Sequence, residues 1–301
     1  MLNKFAVGVL LLALVTIGSM PAVAQAEGPK YKVTELADGL YMLEGDGAFV
    51  GGNMGLLTGP DGAVLIDDGL PPLTDNLLAA IKKVTDAKIE YLVNTHVHGD
   101  HTGGNAVMGE RGARIIAHER LRSRMIEQGI TGANGNEPAP KEALPVLTFA
   151  DSVSLHLNGR EAFVFHVANA HTDGDSVIHF KEDNVVHTGD TMFSGIFPYI
   201  DLDSGGSLAG YIAAQKKIYA MVNDETKIIP GHGPLSTKKD LAASIAMLEK
   251  SSAAIEALIS AGHTEEEILE ANPLAEFDAD WSWQFINTER MTKTLYRALK
   301  K

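Results

Sequence analysis

From Thr95 to Asn105 the chain reads Thr-His-Val-His-Gly-Asp-His-Thr-Gly-Gly-Asn, directly behind the apolar run Ile89–Val93. No other feature constrains the fold as tightly. A buried strand has to end here, and the turn that follows has to satisfy three imidazoles and a carboxylate crowded between positions 96 and 101. Side chains alternate along an extended segment, so His96 and His98 can point the same way. Asp100 and His101 can then swing to the opposite side as the backbone tightens at Gly99. One short loop can thus offer two ligands to each of two adjacent metal ions. A plain solvated loop is the alternative, and it leaves the crowding of these groups without a cause.

The rest of the chain alternates short apolar runs with amphipathic stretches in two passes. In the first, residues 31–36, 39–44, 51–58 and 63–66 read as strands separated by Gly-Asp, Gly-Gly and Pro-Asp-Gly turns. Leu73, Leu77, Leu78, Ile81 and Val84 form one helical stripe, and strands at 89–93 and 113–117 precede a helix over 118–128. Residues 130–141, rich in Gly, Asn and Pro, read as a flexible connection. The second pass has strands at 146–149, 152–157, 162–167, 176–180, 185–187 and 227–229. It also has a helix capped by Ser207 and a long helix carrying Leu241, Ile245, Leu248, Ile255 and Ile259. Thr264 to Glu267 forms a capping box for a further helix. Two strand-rich halves, each followed by helices, imply an α/β fold of two sheets packed face to face with helices outside.

Three more candidate ligands lie at strand ends: His171 in Ala-His-Thr-Asp-Gly-Asp, Asp190 in His-Thr-Gly-Asp-Thr and His232 in Pro-Gly-His-Gly-Pro. With these residues in place, the chain resembles the metallo-β-lactamase superfamily of di-metal hydrolases over nearly all of its length beyond residue 26. The HxHxDH motif at 96–101, followed by His171, Asp190 and His232 in that order, carries the resemblance. The resemblance implies a four-layer αββα sandwich with the site at one edge. It implies one metal on His96, His98 and His171, a second on Asp100, His101 and His232, and Asp190 bridging the two. It also gives Asp67, in Leu-Ile-Asp-Asp-Gly, the task of bracing the metal loop, and makes Asp100 the catalytic group that accepts or passes on the nucleophile's proton.

A ligand set of imidazole nitrogen and carboxylate oxygen suits two Zn²⁺ ions, with Fe or Mn as alternatives. Such a pair lowers the pKa of a shared water from about 15.7 towards about 7. The expected reaction is hydrolysis of a small molecule's amide, lactam, lactone, ester or thioester. β-Lactamase activity is compatible with this, as a promiscuous activity or a physiological one. Lactonase and glyoxalase II-like thioesterase readings compete with it, because lactamases with a metal-bound cysteine carry Cys where this chain has Asp190, and Lys where it has Phe193. Glyoxalase II reads glutathione with a basic C-terminal region; here Arg290, Lys293, Arg297 and Lys300 read equally well as a solvated helix face. A metal-binding or sensing protein without turnover is the reading from another class, and a single-iron persulfide dioxygenase is a further one.

Phe193, Phe197 and Tyr199, just beyond Asp190, are candidates for an apolar substrate wall, with core packing as the alternative for each. The glycine-rich stretch 45–53 reads either as a mobile hairpin over the site or as an ordinary strand pair. Trp281 and Trp283 are expected to pack the C-terminal helices, and His118, His156, His166, His179, His187 and His263 to be structural.

The chain has no cysteine, which excludes disulfides, a zinc ribbon, a thiolate nucleophile and an Fe–S cluster. Its formal charge of −14 argues against nucleic-acid partners. The basic head at Met1–Lys4, the apolar run to Met20 and the small residues Ala24 and Ala26 have the order of a secretory signal peptide cleaved after Ala26. The expected product is an exported, periplasmic protein with no membrane anchor after cleavage. It would form one domain over 27–301, with a helical extension from about 237; its oligomeric state is not assigned.

Overall fold

In the computed structural model, residues 29–132 and 135–300 are described; the expected signal peptide lies outside them. The chain opens with four antiparallel strands, β1 (Lys30–Ala37), β2 (Leu40–Asp46), β3 (Met54–Gly59) and β4 (Gly62–Ile66). Helix α1 (Thr74–Lys82) then crosses to β5 (Ile89–Val93), which pairs parallel to β4. The short helices α2 (Gly99–Thr102) and α3 (Asn105–Glu110) lead to β6 (Arg114–His118) and α4 (Glu119–Gln128). A small hairpin, β7 (Ile130–Gly132) with β8 (Gly135–Glu137), precedes β9 (Leu147–Phe149), which closes a seven-stranded sheet beside β6.

The second sheet holds β10 (Ser152–Leu157), β11 (Arg160–His166), β12 (Ser176–Phe180), β13 (Val185–His187) and β14 (Lys227–Ile229). Helix α5 (Leu208–Met221) connects β13 to β14. The chain ends in α6 (Lys238–Ser260), α7 (Glu265–Ala271), α8 (Asp278–Trp281) and α9 (Thr288–Leu299). No helix of the described residues is long and apolar enough to cross a membrane.

Strand alternation explains the layering. Val64 and Ile66 of β4 face Val164, Ile178 and Val185 of the second sheet, whereas Leu65 between them faces Leu77 and Ile81 of α1. On the second sheet Ile178 points inward and Val177 outward, towards Ala214 and Ile218 of α5 and Leu241 of α6. Helix, sheet, sheet and helix therefore stack in the expected αββα order. The C-terminal helices share a separate apolar cluster with the loop after β13, in which Phe197, Ile200 and Tyr211 meet Leu248, Ile268 and Leu295.

Three expectations are corrected. Strand β3 begins at Met54 rather than Gly51, because Gly51 has φ +103° and the backbone there is a loop. The run 146–149 belongs to the first sheet, pairing parallel to β6 once α4 has carried the chain back. Residues 130–141, read as a flexible connection, include the hairpin β7–β8.

Candidate metal centre

The carboxyl ends of β4, β5, β13 and β14 and the loop after β11 meet at one edge of the sandwich. His96 lies in the extended segment after β5, and His98 is the N-cap of α2, so Asp100 and His101 fall in its first turn. That change from extended chain to helix after His98 turns the second pair of side chains away from the first. His171, Asp190 and His232 enter from the three loops of the second sheet. Two groups result, each with ligand atoms within 4.8 Å of one another: His96, His98, His171 and Asp190, and Asp100, His101 and His232. Asp190 faces both. Its Oδ2 lies 3.3 Å from His171 Nε2 and 3.6 Å from His96 Nε2, and its Oδ1 lies 3.0 Å from His101 Nε2 and 3.5 Å from His232 Nε2.

The outward nitrogen of four of these rings is fixed by a partner, and the partner sets the tautomer. His171 Nδ1 meets the Tyr199 carbonyl oxygen at 2.7 Å, and His98 Nε2 meets Asp201 Oδ2 at 2.9 Å. His101 Nδ1 meets Asp67 Oδ2 at 2.7 Å. The Thr95 hydroxyl donates to Asp67 Oδ2, which leaves its lone pairs to accept from His96 Nδ1 at 3.0 Å. Each ring is a donor on its outer side, so in its neutral form its inner nitrogen bears a lone pair. Those lone pairs point at one another: His171 Nε2 and His98 Nδ1 are 2.9 Å apart, and His96 Nε2 and His98 Nδ1 are 3.2 Å apart. Asp190 Oδ1 is buried and has no hydrogen-bond partner. Cations between these atoms resolve the repulsion, so the donor set fits two divalent metals.

The electrostatics agree. Burial opposes a charge on His101 and on His232, but the Asp190 and Asp100 carboxylates outweigh it and raise both, His232 to about 9. Burial also disfavours the ionised carboxyls, yet His101 and its neighbours hold Asp190 well below the usual range and Asp100 at about 2. The site thus favours positive charge, whether carried on protons or on metal ions. Burial pushes His171 down to about 4 and His96 well below its ordinary value, so both present neutral rings.

Asp67 hydrogen-bonds across the start of the histidine loop. Its carboxylate accepts from Thr95 N (2.7 Å) as well as the Thr95 hydroxyl (2.7 Å), and its backbone takes φ +57°, a left-handed conformation uncommon for a non-glycine residue. Two glycines are required by contact. A Cβ on Gly52 would lie 2.0 Å from the His101 ring, and one on Gly231 would lie 2.0 Å from Asp190 Oδ1. Asn53, which the sequence reading passed over, donates through Nδ2 to the Pro230 and Gly233 carbonyls and clamps the His232 turn. His187 is buried and links Asn53 O to Gly189 N, joining the first loop to the Asp190 turn.

A cleft of about 700 Å³ opens over the metal centre, with His98, Asp100, Asp190 and His232 as its floor. Phe193 and Tyr199 line it. Phe197 does not: it is fully buried, packed against Phe277 and Trp281, because its side of the loop faces the C-terminal helices. Trp283 lines the cleft instead of only packing helices, together with Phe285 and Phe49. Of the 45–53 stretch, residues 45 and 46 end β2 and the rest is a loop tied down at its far end, where Gly52 N donates to Asp100 O and Asn53 N to Gly231 O. Asp201 was missed although it falls in the stretch following Asp190; nothing in its local spacing marks it as the partner of His98. Outside both groups, His118 and His166 stack on each other with ring centroids 3.8 Å apart.

A helix–sheet–sheet–helix sandwich with histidines and aspartates gathered at one sheet edge defines a metal-binding class of fold. A family model described as the metallo-beta-lactamase superfamily matches residues 47–233, and the chain belongs to that superfamily. A hydroxyacylglutathione hydrolase of Polaromonas sp. is 26% identical over 166 residues, 54% of this chain and 56% of that protein. The metallo-beta-lactamase type 2 of Bacteroides fragilis is 21% identical over 207 residues, 67% of this chain and 78% of its own. Among solved structures, a metallo-beta-lactamase from Pontibacter korlensis superposes with a TM-score of 0.61 at 19% identity, over 73% of this chain and 99% of that one, which shows the fold. The chain spans only 41–56% of the length of the hydroxyacylglutathione hydrolases it matches.

Proposed function

We propose that this protein is a divalent-metal hydrolase that cleaves a carbonyl ester, thioester, lactone or lactam of a small molecule, with two Zn²⁺ ions as its metals. The observation that carries this reading is the convergence of four ring nitrogens on the buried Asp190 carboxylate, His171 and His96 on its Oδ2 and His101 and His232 on its Oδ1, which has no hydrogen-bond partner. His96, His98, His171 and Asp190 would hold one ion, and Asp100, His101 and His232 the other, with Asp190 shared between them. Ions held there supply a water of lowered pKa and polarise the carbonyl.

The protein's own groups do the rest. Asp100 is partly exposed at the cleft floor and stays ionised, so its carboxylate is placed to take the proton of the attacking water. Asp67, Asp201 and the Tyr199 carbonyl hold the rings in one orientation, so the site is organised before substrate enters. The apolar wall excludes water from one side of the reacting carbonyl.

β-Lactam turnover is a secondary activity in this reading, because among the described residues no lysine or arginine lines the cleft to grip the carboxylate those compounds carry. The N-terminal leader supports export to the periplasm, which N-terminal sequencing of the mature protein from a fractionated cell tests.

The hydrolase reading is tested by metal analysis together with turnover of nitrocefin, a carbapenem, a lactone and a thioester. We expect about two metals per chain and turnover of at least one ester-like member, lost on chelation. Full metal occupancy with no turnover on any of the four would favour a binding or sensing protein. A stoichiometry of one iron per chain would favour the dioxygenase reading.

A further inference from the structure

The wall of the cleft is one continuous aromatic surface, and it says what kind of substrate body fits beside the metals. Ring contacts run from Phe193 to Trp283 (6.2 Å between centroids), from Trp283 to Phe285 (5.6 Å), from Phe285 to Tyr199 (5.6 Å) and from Tyr199 to His98 (5.8 Å). Phe49 closes the other side, stacked on His232 at 5.9 Å. Five rings from three distant segments thus form a horseshoe whose open end meets the metal floor. Trp283 is held rigidly in it, since its Nε1 donates to the Phe197 carbonyl oxygen at 2.9 Å. Phe285 and Tyr199 are backed by Arg290, whose guanidinium lies 4.0 Å over the first ring and 5.4 Å over the second. The Arg290 Nη1 group also donates to Phe285 O, so this cation is engaged behind the wall and does not line the cleft.

The wall's polar side-chain atoms are the Tyr199 hydroxyl, the Trp283 Nε1, which the Phe197 carbonyl engages, and the Gln284 amide; the other polar groups among the described lining residues lie on the floor. A charged or zwitterionic substrate body lying along the wall, away from the metal floor, would lose its hydration there and find no lysine or arginine among the described lining residues in return. An apolar body would gain from burial against the rings.

The geometry points to a neutral substrate whose acyl part is an apolar aliphatic or aromatic group lying along the Phe193–Trp283–Phe285–Tyr199 surface. Tripeptide thioesters and carboxylate-bearing lactams are disfavoured by the same surface. The inference rests on the hydrolase reading above and narrows it to one substrate class.

Two measurements keep the two ideas apart. The first is kcat/KM of the zinc-loaded protein on S-ethyl thioesters of acetic, butanoic and hexanoic acids, beside the hexanoyl analogue with a terminal carboxylate. Each methylene buried is worth up to about fourfold. We therefore expect a rise of at least about tenfold from acetyl to hexanoyl, and a preference of similar size for hexanoyl over its carboxylated analogue. Phe285→Ala and Trp283→Ala are expected to flatten the hexanoyl-to-acetyl ratio. That ratio is taken within one preparation, so it is insensitive to the folded fraction. A flat series, or a carboxylated thioester preferred and then lost in Arg290→Ala, overturns the inference while leaving the hydrolase reading intact.

The second measurement is tryptophan emission on titration with hexanamide and with adipamic acid. We expect a saturable change with hexanamide that is absent, or at least about tenfold weaker, with the acid. If no thioester is turned over, the hydrolase reading fails for that class and this titration decides the inference alone. Equal responses to the two amides overturn it.

Discussion

The floor and the wall of the cleft are built on opposite principles. Seven candidate ligand side chains converge at and beneath the floor from loops at strand ends, and four of them carry a second, outward hydrogen bond that leaves one orientation. The wall is held by ring contacts, and two of its members, Phe49 and Phe285, are 59% and 46% exposed. A floor group that moves by an ångström leaves a buried charge or lone pair unpaired, which costs far more than a shifted ring contact. Changes in the floor should therefore act as all-or-none, and changes in the wall as graded adjustments of substrate affinity.

The largest expected effect comes from Asp190→Asn. The amide keeps the size of the carboxylate but removes the one charge that faces both ligand groups. Metal content should fall from about two per chain to one or less. Hydrolysis should fall by more than about a hundredfold, beyond the 10–100-fold typical for loss of an outer hydrogen-bond partner. Retention of both metals with full activity would show that Asp190 is not shared, and the contrast between floor and wall would lose its centre.

Gly52→Ala locates the boundary between the two regions. Gly52 belongs to the same loop as Phe49, three residues away, yet its missing side chain is the space that the His101 ring occupies. The added methyl should displace His101 from Asp67 and weaken metal retention nearly as much as loss of a ligand does. Zinc retention during dialysis against a weak chelator measures it. Wild-type retention would mean that the loop yields instead, and that the whole 47–53 segment is compliant wall.

The same contrast explains what the amino-acid sequence made legible. The floor could be read because its residues are chemically distinctive and each sits where an apolar run breaks; His96 to His101 alone carries four of the ligands. The two sheets could be read because short apolar runs, buried on both faces, are broken by glycine-rich and polar turns. The wall could not, since an aromatic residue has the same local pattern whether it lines a cleft or a core. Phe193 and Phe197 are four positions apart and both buried, and only the placement of the C-terminal helices turns Phe197 away from the cleft that Phe193 still borders. Trp283 and Phe285 join Phe49 across more than two hundred residues of chain, a proximity set by tertiary packing alone. Asp201 escaped for a related reason: an aspartate in a Gly-Ser loop is commonplace, and its role depends on His98, 103 positions earlier.

Asp201→Ala tests a floor contact that reaches across the two halves of the sandwich. Its carboxylate holds His98 Nε2 and also accepts from the backbone amides of Asp203 and Ser204, so it fixes both the ring and its own loop. Loss of the carboxylate should lower metal affinity by roughly 10–100-fold, read by competition with a chromogenic chelator. Asp201→Asn retains an oxygen that can accept from His98 and should recover a large part of that affinity. Equal losses in the two variants would mean that the charge, and not the hydrogen bond, is what the site requires.

Phe49→Ala should have the smallest effect. The ring is more exposed than buried, and its ring contact is with His232, whose turn is held independently by Asn53. Stability should change by no more than about 0.5 kcal/mol, as for most exposed positions, and metal content should be unchanged. KM for a hexanoyl thioester should rise roughly three- to tenfold through lost apolar contact, with kcat held nearly constant because no floor group moves. A fall in kcat with KM unchanged would place Phe49 among the groups that position His232. The division between a floor that does chemistry and a wall that selects substrate would then fail on that side of the cleft.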